Sequence, residues 1–165
     1  MSKSNENLQA AFAGESQANR RYLLFAEQAD KEGHPQVARL FRAAAAAETV
    51  HAHSHMRVLG ALKTTSENLD AAVNGENYEA TTMYPDFIKA AEEEDNARAL
   101  RTFKYALEAE KVHEQLFRSA LESLGEEEEA YDYYVCPVCG YTHGHHAPDK
   151  CPVCGAKGER FLHIK

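Results

Sequence analysis

Two short stretches, AETVH at 47–51 and AEKVH at 109–113, each set a Glu three residues ahead of a His. A third, GENYE at 75–79, sets Glu76 three residues ahead of Glu79. Residues three apart on a helix share one face. Glu48 with His51, Glu110 with His113, and Glu76 with Glu79 can therefore each aim at a common target. The stretches are parts of a longer repeat: Val50 falls on Val112, Phe41 on Phe103, and Glu15 in GES at 14–16 on Glu76 in GEN at 75–77. The repeat breaks at one informative place, where Ala18 stands against Glu79, so the second half carries one carboxylate more than symmetry requires.

Five carboxylates and two imidazoles turned into a helical core are untenable alone, because each desolvated charge costs several kcal/mol. Two metal ions remove the conflict. One Glu from each of two helices plus Glu-x-x-His from each of two others matches the ligand pattern of di-iron carboxylate bundles. Oxygen and imidazole donors without thiolate suit iron or manganese, with zinc as a substitute. Solvated glutamates and ordinary histidines would explain a lone E-x-x-H, but not one that recurs in both halves. Charge counting gives Glu79 a role: Glu15, Glu48, Glu76 and Glu110 balance two ferrous ions, and the more highly charged ferric pair needs another anion. Glu79 is thus expected to ligate in the oxidised state, with His51 taking over on reduction.

The four cysteines form two CPVC pairs, Cys136 with Cys139 and Cys151 with Cys154. In a reducing compartment such pairs point to metal rather than disulfide. Some 34 residues of tail cannot bury enough surface to fold unaided, so metal binding at four thiolates would supply the folding energy. The motif alone fits iron or zinc. The redox-capable ligands upstream favour iron, and the tail has few basic residues for a nucleic-acid-binding ribbon. His53 and His55 are assigned to surface or packing roles, and His143, His145 and His146 to an exposed loop between the cysteine pairs.

The elements that must position these groups are helices. Periodicity predicts one over 5–29, stopped by KEGHP, and a second over 35–59, ended by Gly60. A third starts near Ser66, with a kink or break expected around Thr81 and Thr82 because Pro85 follows. A fourth covers 96–124. The expected fold is mainly α: a four-helix bundle over 1–125, a charged linker over 126–131 and a metal-knuckle domain over 132–165. A net charge of −8, from 26 acidic against 18 basic residues, argues against nucleic acid or an anionic membrane surface as partner. No apolar run approaches the ~20 residues that span a bilayer, and MSKSNENLQ lacks a secretory core. A cytoplasmic location is expected.

Taken together, FAGESQA, the two E-x-x-H motifs, GENYEATTMYP and CPVCGY…CPVCG resemble rubrerythrin over essentially the whole chain. The resemblance implies a ferritin-like four-helix bundle holding two irons, and a rubredoxin-like domain holding one. It implies reduction of hydrogen peroxide to water in oxidative-stress defence, with electrons from NAD(P)H through a reductase or a separate rubredoxin. It assigns Glu15, Glu48, Glu76, Glu79, Glu110 and His113 as di-iron ligands and His51 as the redox-exchanged one. Cys136, Cys139, Cys151 and Cys154 match the mononuclear site, and Tyr22 and Tyr84 match tyrosines lining the di-iron pocket. Two other classes compete: a ferritin-like ferroxidase or iron-handling protein, and a zinc-binding interaction module. The 12 residues between His113 and Gly125 cover roughly 18 Å of helix. A chain's own thiolate site is therefore expected to lie far from its own bundle metals, which favours a head-to-tail homodimer or higher assembly.

Overall fold

The computed structural model describes residues 2–126 and 129–165. It is mainly helical, with four long helical segments and a small C-terminal sheet. Part of the linker expected at 126–131 lies outside the described residues. The chain divides into two compact units, Met1–Lys63 and Thr64–Lys165.

The first unit is a pair of helices, α1 (Lys3–Lys31) and α2 (Pro35–Val58). Ser2 caps α1 by accepting from the Asn5 N–H at 3.3 Å. Gly33, at φ +80°, makes the left-handed turn out of α1, and Pro35 starts α2 where no backbone donor is needed. Ala38, Ala45 and Ala52 recur every seventh residue of α2 and are all buried. Small side chains on that face let α1 approach closely. Asn19 of α1 fixes the register by donating to the Ala45 carbonyl at 2.7 Å and to Thr49 Oγ1 at 2.8 Å. Tyr22, Phe25 and Phe41 form an aromatic cluster with centroids 5.5–6.2 Å apart.

The second unit opens with α3 (Thr65–Tyr78), begun by a reciprocal capping box between Thr64 and Glu67. The kink or break expected around Thr81 and Thr82 takes the form of an irregular turn within a continuing helix. The helix continues through a five-residue π turn, Glu79–Met83, into α4 (Tyr84–Glu93), with Pro85 in the first turn of α4. Asn96 then caps α5 (Ala97–Glu122).

The π turn has a counterpart in the numbering of the repeat. Glu48 and Glu110 are 62 residues apart, as are His51 and His113, Tyr22 and Tyr84, and Phe41 and Phe103, whereas Glu15 and Glu76 are 61 apart. One residue has entered between Glu76 and Tyr84. In an unbroken α-helix it would rotate everything beyond it by about 100°. A π turn absorbs one extra residue, so Glu76 and Tyr84 both stay on the side facing α5. Tyr84, Phe87 and Phe103 accordingly reproduce the aromatic cluster of the first unit, with centroids 5.5–6.4 Å apart.

The tail carries β1 (Tyr133–Val135), β2 (Thr142–Gly144) and β3 (Leu162–Ile164) in the antiparallel order β2-β1-β3. Its core is Cys136, Cys139, Cys151 and Phe161, and Tyr105 of α5 packs against it. The tail does not extend beyond the end of α5 as the helix length suggested. It lies back along α5, where Tyr105, Ala109 and His113 form one stripe. A Cβ placed on Gly140 would sit 3.8 Å from Ala109 Cβ, so backbone meets a small side chain at this contact. Among the described residues, no helix is long and apolar enough to cross a membrane.

Candidate metal centres

Each unit gathers one carboxylate–imidazole group, and the two are near copies. In the first, Glu15, Glu48 and His51 place ligand atoms within 4.8 Å of one another, and in the second Glu76, Glu110 and His113 do the same. His51 Nδ1 lies 3.0 Å from Glu48 Oε2 and 3.9 Å from Glu15 Oε1. His113 Nδ1 lies 2.6 Å from Glu110 Oε2 and 3.9 Å from Glu76 Oε2. The i,i+3 spacing within α2 and α5 brings Glu and His together, and the paired helix of each unit supplies the third ligand.

Without a cation the carboxylates of each group perturb one another. Glu15 is pushed above the usual carboxylate range by its hydrogen bond to Glu48 and by burial, while Glu48 is held below it by the hydrogen bonds from Glu15 and His51. Glu76 is pushed up to about 7, by burial and by the negative charge of Glu110. Glu79 stands outside the three-ligand group but close enough to be raised by burial and by Glu110. Tyr84 is raised by burial and by the charges of Glu110, Glu79 and Glu76, so its hydroxyl belongs to the carboxylate pocket of the second unit. Tyr22 sits in the matching aromatic cluster of the first.

The two histidines differ in their far nitrogens. His113 Nε2 is 3.0 Å from Thr142 Oγ1 and 3.3 Å from the Gly140 carbonyl, both in the tail. His51, with a side chain 55 % exposed, contacts only carboxylates, through Nδ1, among the described residues. A mainly apolar cavity of about 500 Å³ opens beside Glu76 and His113, walled by Leu69, Leu116 and Phe117.

The four sulfurs also lie within 4.8 Å of one another. Two superimposable turns bring them there. The N–H of Gly140 donates to the Cys136 carbonyl and that of Gly155 to the Cys151 carbonyl, at 3.0 and 2.9 Å. Both glycines adopt positive φ, +82° and +76°, which explains why a glycine follows each pair. Burial raises the Cys136 thiol, but N–H donors from Val138 and Cys139 outweigh it and bring it down to about 7. Burial keeps Cys139 and Cys154 protonated. A tetrahedral cation would replace these protons, and the donor set fits iron or zinc. His145 and His146 are exposed as expected. His143 is half-buried and hydrogen-bonded to the carbonyls of Gly144 and His146.

The rubrerythrin family model matches residues 6–121, and that of the rubrerythrin rubredoxin-like domain matches residues 134–162. The chain belongs to the rubrerythrin family. Rubrerythrin-2 of Clostridium acetobutylicum is 39% identical over 93% of this chain and 92% of its own length. Nigerythrin of Nitratidesulfovibrio vulgaris is 37% identical over 94% of this chain and 84% of its own. A solved structure described as the fully reduced, all-ferrous state of nigerythrin aligns with a TM-score of 0.60 at 34% identity, covering 99% of this chain and 88% of that one. A rubrerythrin carries a carboxylate–histidine di-iron site and a four-cysteine rubredoxin-like site, and the donors described above fit both. Sequence reasoning missed Gly140 and Thr142 as neighbours of a ligand. It also missed the π turn, although the change from 61 to 62 in the repeat spacing was there to be read.

Proposed function

We propose that the chain is a non-haem di-iron peroxidase that reduces hydrogen peroxide to water in oxidative-stress defence. In this reading Glu15, Glu48, His51, Glu76, Glu79, Glu110 and His113 are the ligands for iron that the family's di-iron chemistry requires. Electrons reach that iron through the four-cysteine iron from a rubredoxin or an NAD(P)H-dependent reductase. One peroxide takes up two electrons and two protons and leaves as two waters. When bound, the iron pair would supply both electrons and Lewis acidity, and iron at the four cysteines one-electron redox chemistry.

The observation that carries the proposal is the contact of His113 with Gly140 and Thr142, which puts a bundle ligand in hydrogen-bonding range of the cysteine knuckle. A storage protein has no need of such a link. The protein's own residues account for the rest. Glu79, raised above the usual carboxylate range by burial and by Glu110, is the group proposed to deliver a proton to the departing oxygen. The exposed His51 ring is free to move toward or away from its group, while His113 is anchored at both nitrogens. Leu69, Leu116 and Phe117 give the Glu76 and His113 side an apolar wall.

Anaerobic stopped-flow of the reduced, iron-loaded protein tests the proposal. Mixing with hydrogen peroxide is expected to restore the oxidised spectrum much faster than mixing with dioxygen. Faster oxidation by dioxygen would indicate a ferroxidase, and a colourless protein without iron–thiolate absorption would indicate a zinc module.

A further inference from the structure

We propose that Thr142 is a positioning residue for His113, through which the folded four-cysteine tail sets the metal affinity of the Glu76, Glu110 and His113 group. The proposal rests on the reading of that group as a metal site. It concerns a residue that neither the ligand motifs nor the repeat single out.

The argument begins with donors and acceptors. Thr142 Oγ1 lies 3.1 Å from the Gly140 carbonyl and donates its hydrogen there. It then has only lone pairs to offer His113 Nε2 at 3.0 Å. The Gly140 carbonyl, 3.3 Å from the same nitrogen, is likewise an acceptor. With two acceptors on that side, Nε2 carries a hydrogen; Nδ1, 2.6 Å from Glu110 Oε2, faces the carboxylates, and a cation held there would take its lone pair in place of any hydrogen. Thr142 thereby fixes the plane of the ring and, once a cation is bound, its tautomer. An imidazole held this way is a better ligand, because it needs no reorientation and its basicity is raised by the bond it donates.

Thr142 reaches this place only when the tail is folded. It is the first residue of β2, paired with Val135 on β1, one residue before Cys136. The Cys136 N–H donates to the Tyr141 carbonyl at 2.8 Å, tying the residue before Thr142 to a thiolate ligand. Occupancy of the four-cysteine site therefore orders the knuckle, the knuckle orders Thr142, and Thr142 orders His113. By linkage the coupling runs equally in reverse. Among the described residues His51 has no such partner, so the two carboxylate–imidazole groups, alike in their ligands, differ in strength, and the His113 group is the one that fills first.

The test is a cobalt(II) titration of the full-length chain with zinc already in the four-cysteine site, followed by the visible bands of cobalt on oxygen and nitrogen donors. Wild type is expected to take up two cobalt equivalents of unequal affinity. Thr142→Val, which keeps the shape and loses the hydroxyl, is expected to weaken the tighter equivalent by about tenfold and leave the other unchanged, with zinc retained. Thr142→Ser is expected to restore the wild-type curve. Unchanged affinities in Thr142→Val overturn the proposal, because the Gly140 carbonyl would then suffice. A loss shared by both equivalents, or one that Thr142→Ser does not rescue, also overturns it, because it marks general damage. If wild type takes up no cobalt beyond the zinc site, the metal-site reading falls as well.

Discussion

At the scale of single residues, the ligands follow from a simple rule. A Glu and a His three apart on a helix share a face, and the same pair written twice cannot be surface decoration. Glu15, Glu48, His51, Glu76, Glu110 and His113 were legible for that reason, and the four cysteines for the spacing within each pair. Thr142 was not legible: its contact joins residues 29 positions apart, and no periodicity records it. Two predictions belong here. Glu76 is raised from 4.5 to about 7 in the folded, metal-free protein. Its contribution to folding is therefore fully present below 4.5 and lost as pH rises through about 7, where the charge forms beside Glu110. Metal binds the ionised form, so affinity at this group falls as pH drops below about 7, with proton release measurable by calorimetry in buffers of different ionisation heat. Glu76→Gln should flatten the pH dependence of metal-free stability over the same range. The second concerns Glu79. Glu79→Gln should slow oxidation by peroxide by roughly 100-fold, the scale of a lost proton donor, while iron content stays near wild type; stopped-flow and metal analysis together read both.

At the scale of elements, the helices and their ends were visible in the sequence because caps and breakers are local chemistry. Gly33, Pro35 and Asn96 act where their backbone preferences require. The third N-terminus was placed slightly late, since the capping box uses Thr64 and Glu67 rather than Ser66. Thr64→Ala should cost about 1 kcal/mol in chemical denaturation. The irregularity expected around Thr81 and Thr82 is present, though not as a break made by proline. Pro85 falls in the first turn of α4, where its missing N–H does little harm, and the irregularity is a π turn with its own cause in the inserted residue. Deleting Thr82 should return this segment to plain α-helix, with Glu76 and Tyr84 spaced as Glu15 and Tyr22 are. Helix content by circular dichroism and iron loading should then survive, while peroxide oxidation slows as far as in Glu79→Gln. Wild-type kinetics in the deletion would separate the π turn from the placement of Glu79.

At the scale of the whole molecule, composition and repeat predicted a helical protein with an appended metal knuckle, and both are present. What a linear reading could not supply was the direction of the tail. A rise of 1.5 Å per residue measures distance along α5, not the position of the chain after it turns at Gly125, where φ is +101°. The tail lies back on Tyr105 and Ala109 and meets His113, so the thiolate site and a bundle ligand belong to one unit. Removing the tail metal with a chelator should therefore unfold the knuckle and also loosen metal at the His113 group, a coupling that Thr142→Val should weaken.

The central claim, that the carboxylate–imidazole ligands hold a pair of irons and the four cysteines a separate thiolate iron, is tested most directly by Mössbauer spectroscopy of the oxidised, iron-reconstituted protein. The account predicts three irons per chain, about one third in a tetrahedral sulfur environment and about two thirds in a spin-coupled pair with oxygen and nitrogen donors. A spectrum with only the sulfur-bound iron, or with the remainder as uncoupled single ions, would contradict it.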